Sequence, residues 1–114
     1  MRTYKFRAWD KNKKYMFEVI GISWFANHSS IWQVSGYDIL EPIDNVDIMQ
    51  FTGLKDKNGR EIYEKGKVRH NGKLESIVKW DDENASWVIY NKTMGNMNIS
   101  RIYFVEVIGN EYEN

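Results

Sequence analysis

The chain has 114 residues, the size of one globular domain or two interlocked subdomains rather than of two independent cores. Sixteen basic and sixteen acidic side chains cancel, so the strongly basic balance of many nucleic-acid and anionic-membrane binders is missing. Cysteine is absent, which excludes disulfides, thiolate nucleophiles and Cys-ligated zinc or iron–sulfur centres.

The first part of the chain predicts a β-hairpin. Apolar and basic residues alternate over residues 4–8, a polar turn follows at 10–14, and apolar residues return at 15–20. Residues 21–45 follow no single period. Strands joined by loops and a short helical turn near Asp44 are both compatible with that stretch.

Two Asn-Gly pairs predict tight hairpin turns in the second part of the chain. Residues 46–51 alternate as a half-buried strand, and Asn58-Gly59 lies beyond them. Both residues of such a pair tolerate the positive φ that a type I′ turn demands. A short strand at residues 67–70 ends at the second pair, Asn71-Gly72.

The last part of the chain also has the pattern of β-structure. Residues 74–80 and 87–90 are expected to pair across the acidic turn at 81–84, and residues 99–109 to form a last long strand. Turn signals at such short intervals favour a barrel or a sandwich.

We therefore predict an all-β (mainly β) protein with two interlocked parts in one globular unit. Residues 1–51 would form an N-terminal β subdomain with its hairpin, and residues 52–114 a small SH3-like barrel. No stretch approaches the ~20 apolar residues that span a membrane, and the N-terminus lacks the apolar segment of a signal peptide. We expect a cytoplasmic protein without a membrane partner.

Catalytic and metal-binding patterns are weak. His28 is followed by Ser29 and Ser30, but sequence neighbours rarely form a nucleophile–base pair, and a polar loop is the favoured interpretation. The second histidine, His70, has no zinc-type spacing to the first. The acidic residues at 81–83 are typical of a solvated turn. We expect no catalytic residue, no metal site, no cofactor and no enzymatic activity.

Nucleic-acid binding is an alternative that rests on one region. Basic side chains with a nearby aromatic gather between residues 67 and 87, and small barrels use such strands to hold single strands. Acidic residues elsewhere restore neutrality, and aromatic residues at core positions cannot stack on bases. The candidate binding residues are Lys67, Arg69, His70, Lys73, Lys79 and Trp80.

Protein–protein contact is the preferred functional prediction. Five Trp, seven Tyr and five Phe are many for a core of this size, and interfaces favour such residues. Open strand edges must also be covered, and self-association covers them. We predict a non-enzymatic protein-binding or self-associating module, with a homo-oligomer and a further, unknown protein as partners.

Three blocks of the sequence resemble a known protein family. Residues 5–10 (KFRAWD), 49–64 (MQFTGLKDKNGREIYE) and 106–114 (EVIGNEYEN) resemble, in this order, the opening, central and C-terminal signatures of the YopX family. After the central block the family usually continues Gly-Asp-Ile or Gly-Asp-Val, whereas this chain has Lys65-Gly66-Lys67-Val68. The resemblance implies a mainly β protein of phage or prophage origin, without an established activity or accepted catalytic residues. The unknown partner would then be a phage or host protein.

Overall fold

The computed structural model describes residues 3–24, 32–99 and 105–113, and these residues are mostly in β-strands. The all-β prediction is confirmed, while the SH3-like barrel stays a prediction. A short 3-10 turn, Ile43–Asn45, directly precedes the strand that begins at Val46. In the described part of the chain, no helix is long and apolar enough to cross a membrane. The strands are β1 (Phe6–Asp10), β2 (Tyr15–Glu18), β3 (Gly21–Ser23), β4 (Gln33–Ser35), β5 (Leu40–Pro42), β6 (Val46–Lys55), β7 (Glu61–Tyr63), β8 (Gly66–His70), β9 (Leu74–Asp81), β10 (Ser86–Asn91), β11 (Gly95–Asn98) and β12 (Glu106–Asn110).

The chain divides into two units, one from Thr3 to Gln50 and one from Phe51 onward. In the N-terminal unit, β1 pairs in antiparallel fashion with β2 on one side and with the first half of β6 on the other. Strands β3, β4 and β5 form a separate antiparallel sheet. Ala8, Val34 and Val46 form the buried core of this unit.

The C-terminal unit contains a five-stranded antiparallel sheet in the order β11-β10-β9-β8-β12. Val68, Val78 and Ile89, one on each of β8, β9 and β10, point to the same face of the sheet, because side chains alternate between the two faces along a strand. Burial of each such side chain contributes roughly 1.5–3 kcal/mol. The buried core consists of Ile62, Val68, Val78, Ile89, Ile99 and Val105.

An Asp or Asn at the end of a strand organises several turns. Its side-chain oxygen accepts hydrogen bonds from backbone N–H groups two to four residues later, which satisfies donors that the turn would otherwise leave unpaired. The residues that do so are Asp10, Asp56, Asp81, Asn91 and Asn110.

The hairpin at Asn71-Gly72 is present between β8 and β9, and both residues have the expected positive φ (50° and 84°), but the loop comprises residues 71–73, because His70 pairs with Leu74. The hairpin at Asn58-Gly59 is also present, since Lys55 pairs with Glu61. Its turn type differs from the prediction: only Gly59 has positive φ.

The reason for that difference is Asp56. Its carboxylate accepts hydrogen bonds from the backbone N–H groups of Asn58 and Arg60, at 2.9 and 2.8 Å. The loop is thereby held as a wider, side-chain-capped turn instead of a two-residue type I′ turn.

Two other strand predictions needed correction. Strand β11 was not anticipated, because Gly and Asn are poor strand formers. The last strand was expected over 99–109, but its described part begins at Glu106; Ile99 and Val105 lie outside strands, and residues 100–104 lie outside the described residues. The described residues of the ambiguous stretch 21–45 contain three short strands and a 3-10 turn that includes Asp44, and the sequence was compatible with both kinds of structure.

Candidate functional site

Three of the predicted nucleic-acid-binding residues share one face of the five-stranded sheet. Lys67 is opposite Ile77, and Ile77 is opposite Tyr90, so these side chains point to the same side. Arg69 and Lys79 lie two positions along their strands from Lys67 and Ile77, and therefore on that side too. We call Lys67, Arg69, Lys79 and Tyr90 the basic face.

Acidic and aromatic groups already occupy part of the basic face. The Arg69 guanidinium lies 3.6 Å from the Glu75 carboxylate, and Glu106 of β12 is opposite Arg69. The Lys79 ammonium lies over the Tyr90 ring, 5.0 Å from its centroid. A nucleic acid would have to compete with these contacts for the phosphate-binding cations and for the stacking ring.

The other three predicted residues lie elsewhere. His70 and Trp80 are on the opposite face, because neighbours along a strand alternate, and Lys73 lies in the turn between β8 and β9. The Trp80 ring contacts the Trp87 ring at 5.0 Å and is 41% exposed. The structure therefore brings together Lys67, Arg69 and Lys79, and separates His70, Lys73 and Trp80 from them.

His70 belongs to a buried polar cluster. Its Nε2 atom lies 2.7 Å from the Ser76 Oγ atom, which also accepts a hydrogen bond from the Asn91 amide at 2.8 Å. His70 and Ser76 are 1% and 2% exposed, and within the described residues no group makes a hydrogen bond to His70 Nδ1. Burial lowers the pKa of His70 below its ordinary value, which favours the neutral imidazole.

This Ser–His pair has the spacing of a nucleophile and its base, but its surroundings indicate a structural role. The Asn91 amide uses the serine oxygen as an acceptor, so the hydroxyl proton is directed at His70 Nε2. The packed interior shields the Ser76 oxygen from any substrate carbonyl. The other predicted pair, His28 with Ser29 or Ser30, lies outside the described residues.

Asp56 joins the central part of the chain to its C-terminal strand. Its Oδ2 atom accepts a hydrogen bond from the Val107 N–H at 2.8 Å, and the Arg60 guanidinium donates to the Val107 carbonyl at 3.2 Å. The Lys57 N–H also donates to the Val105 carbonyl. The central and C-terminal blocks of the family resemblance are therefore in direct contact, and this contact gives Asp56 and Arg60 a structural role.

The N-terminal unit contains a surface groove that the sequence did not reveal. The groove has a volume of about 380 Å³. We call it the N-terminal groove. The alternation of apolar residues in this part of the sequence indicates strands, but it does not show which apolar side chains stay exposed. Its walls are Tyr4, Lys5, Phe6, Glu18, Val19, Ile20, Gly21, Ile22 and Trp24.

Exposed aromatic residues surround this groove. Tyr4 is 67% exposed and Trp24 is 54% exposed. The Trp24 ring contacts the exposed Trp32 ring, with centroids 5.2 Å apart. An exposed tryptophan pair is unusual for a soluble domain that makes no contact through it, because a Trp ring carries a large apolar area.

Metal binding has no support in the described residues, among which no group of three His, Cys, Asp or Glu side chains could hold an ion. The acidic turn instead shows internal capping: Asp81 accepts hydrogen bonds from the Glu83 N–H and the Asn84 amide.

Comparison with known proteins gives the family. The profile of the YopX protein family matches residues 5–114. The chain belongs to the YopX family. A search of curated proteins found no match.

Two solved structures share the fold. Protein EF1440 from Enterococcus faecalis superposes with a TM-score of 0.68 at 26% sequence identity, covering 100% of this chain and 96% of its own. Protein YopX from Bacillus subtilis superposes with a TM-score of 0.58 at 20% identity, with the same coverage of both chains. The second likeness concerns the fold alone.

Proposed function

We propose that this YopX-family protein is a non-enzymatic accessory protein of a phage or prophage that acts by binding a polypeptide. The observation that supports this proposal is the N-terminal groove with its exposed Trp24–Trp32 pair. Tryptophan and tyrosine contribute most of the binding energy at many protein interfaces, because they bury a large area and lose little side-chain entropy.

The position of the tryptophan pair agrees with a binding role. The three sequence blocks that identify the family contain strands and capped turns, which the fold itself requires. Trp24 and Trp32 lie outside those blocks. No requirement of the β1–β2–β6 pairing explains why two large apolar rings should be kept at the surface. Binding of a partner's apolar side chains explains it.

The test compares two exposed tryptophans. Tagged protein would capture partners from host cells carrying the phage, with and without nuclease, and mass spectrometry would identify them. We expect a nuclease-resistant polypeptide that Trp24→Ser loses by at least about tenfold, since a buried Trp anchor is worth 2 kcal/mol or more.

The matched control is Trp80→Ser, which also removes an exposed Trp from a Trp–Trp contact, but in the other unit. Equal capture by Trp24→Ser and wild type, or equal loss with both variants, would contradict the proposal.

Nucleic-acid binding is the second candidate, supported by the shared face of Lys67, Arg69 and Lys79. The variant Lys67→Glu plus Arg69→Glu reverses two charges on the basic face. The control variant Lys55→Glu plus Lys92→Glu makes the same charge change at exposed positions elsewhere in the C-terminal unit. Selective loss of DNA or RNA affinity in the first variant, with a reduced salt dependence, would support this candidate.

A further inference from the structure

The chain contains two Asn-Gly pairs, a sequence that is prone to modify itself. The backbone nitrogen that follows an asparagine can attack the carbonyl carbon of the asparagine side chain, and glycine has no Cβ to hinder the approach. Every other asparagine that precedes a residue is followed by one with a side chain. The two pairs, Asn58-Gly59 and Asn71-Gly72, are therefore the candidate sites.

The two pairs are equally accessible to water. All four residues are exposed, and each pair lies in a hairpin turn. Both glycines have positive φ, and a methyl group at either one would meet nothing within 4 Å. Exposure and crowding therefore do not distinguish the pairs.

Hydrogen bonds restrain the first pair. The Gly59 N–H, which contains the nitrogen that would attack, donates to the Asp56 carbonyl at 3.0 Å. The Asp56 carboxylate accepts from the N–H groups on both sides of Gly59, those of Asn58 and Arg60. The attacking nitrogen is thus held in place, and the nearby carboxylate disfavours negative charge on it.

The Gly72 nitrogen has neither restraint. Among the described residues, no group accepts a hydrogen bond from its N–H. The next residue is Lys73, whose positive charge favours the deprotonated nitrogen that attacks. The turn at Asn71-Gly72 is therefore the one in which the nitrogen can close on the asparagine side chain.

We propose that Asn71-Gly72 is a site of spontaneous deamidation and that the fold protects Asn58-Gly59 from the same reaction. The Gly72 nitrogen gives its proton to a base in the solvent and bonds to the side-chain carbonyl carbon of Asn71. The bond from that carbon to the amide nitrogen breaks, and this nitrogen takes a proton from water and leaves as ammonia. Water then opens the succinimide ring to aspartate or isoaspartate, so the net reaction consumes one water and releases one ammonia. This inference goes beyond polypeptide binding at the N-terminal groove and is independent of it.

The product affects the buried His70 cluster. Deamidation adds one negative charge to a chain whose formal net charge is zero. Isoaspartate also adds a methylene group to the main chain, in the loop that joins His70 to its partner Leu74. His70 is 1% exposed and its Nε2 atom lies 2.7 Å from the Ser76 Oγ atom, so displacement of the strand end weakens that contact. Deamidation is thus an irreversible change that loosens the β8–β9 hairpin.

The first experiment compares the two pairs in one sample. Wild-type protein would be incubated in mildly alkaline buffer and digested, and mass spectrometry would quantify the asparagine, aspartate and isoaspartate forms of each peptide. In the folded protein, Asn71 should react at least about fivefold faster than Asn58, the ratio expected from one protecting hydrogen bond. In denaturant the two should react at similar rates, because a basic residue follows each pair.

The second experiment tests the effect of the product on stability. Asn71→Gly cannot deamidate and suits the φ of 50° at this position, and Asn58→Gly is the matched control. The isoaspartate fraction of incubated wild type and of Asn58→Gly should melt at least about 3 °C below fresh protein, as expected for the loss of a buried hydrogen bond. Incubated Asn71→Gly should keep its melting temperature.

No reaction at Asn71, or equal or faster reaction at Asn58 in the folded protein, would overturn the proposal. A preference for Asn71 that persists in denaturant would also refute it, since the local sequence and not the fold would then set the rate. An isoaspartate fraction that melts like fresh protein, or an equal decline in Asn71→Gly, would refute the loosening of the β8–β9 hairpin.

Discussion

Removal of the Asp56 carboxylate should destabilise the C-terminal unit by about 3 kcal/mol, because the carboxylate accepts three backbone hydrogen bonds. Oδ2 accepts from the Val107 N–H of strand β12, and Oδ1 accepts from the N–H groups of Asn58 and Arg60. Val107 is half-buried, so its orphaned N–H costs roughly 1–3 kcal/mol in Asp56→Ala.

The other two donors cost less, since the exposed turn residues Asn58 and Arg60 can be solvated by water, at roughly 0.5–1 kcal/mol each. Asp56→Asn should cost about 2 kcal/mol, because the amide keeps one acceptor oxygen but turns an NH₂ group toward the Val107 N–H. Thermal denaturation followed by circular dichroism should show Asp56→Ala melting roughly 10 °C below wild type.

Acidification should remove the stabilisation that the Asp56 carboxylate provides. Burial raises the pKa of Asp56, but hydrogen bonds from the Val107, Arg60 and Asn58 N–H groups and the Arg60 charge outweigh it and lower the pKa below its ordinary value. The contribution to the free energy of unfolding is therefore present above about pH 4 and is lost as the pH falls through the folded pKa. Asp56→Asn should lack this part of the acid dependence.

The control is Asp82→Ala, which removes an exposed aspartate from a turn of the same unit. It should change the melting temperature by no more than about 2 °C. If Asp56→Ala and Asp82→Ala had the same melting temperature, or if NMR titration gave Asp56 an ordinary or raised pKa, the reasoning from these hydrogen bonds would be wrong.

Three further changes test other parts of the fold. Ala85 has a φ of 49°, so Ala85→Gly should raise the free energy of unfolding by about 0.5–1 kcal/mol, measured by urea denaturation. Gly36→Ala should destabilise by roughly 1–3 kcal/mol in the same assay, because the new methyl would lie 2.8 Å from atoms of both Ile39 and Phe17; no change would mean that the neighbours yield. Burial lowers the pKa of His70, so the contribution of the neutral imidazole to the free energy of unfolding is complete above about pH 6.5 and falls as the pH drops through the folded pKa. His70→Gln should flatten this pH dependence of the free energy of unfolding. An unchanged pH profile in the variant would assign the dependence to another group.

The sequence was a good guide where clear turn signals bound a strand. Strands β8, β9 and β10 were predicted nearly to the residue, because the Asn71-Gly72 turn and the acidic turn at 81–84 separate them. Strand β11 was missed because it depends on pairing with β10 and not on its own Gly and Asn residues. Strands β3, β4 and β5 are only three residues long, which is shorter than any periodic pattern can show.

The candidate site was predictable only in part. Lys67, Arg69 and Lys79 were correctly expected on neighbouring strands, but their grouping with His70 and Trp80 ignored the alternation of faces along β8 and β9. The N-terminal groove depends on which apolar side chains the tertiary structure leaves uncovered. Composition indicated an excess of aromatic residues without saying where they lie.

The order of strands in the five-stranded sheet has a consequence for protein synthesis. Strand β8 lies between β9, which follows it directly, and β12, which is made some forty residues later. While the chain grows, β8 to β11 can pair through short hairpins, but the second edge of β8 stays open until residues 106–110 leave the ribosome. During that interval, β12 of a neighbouring nascent chain fits the open edge as well as the chain's own, which is the starting point of domain swapping. Slow translation of residues 99–110 should therefore increase swapped and aggregated material.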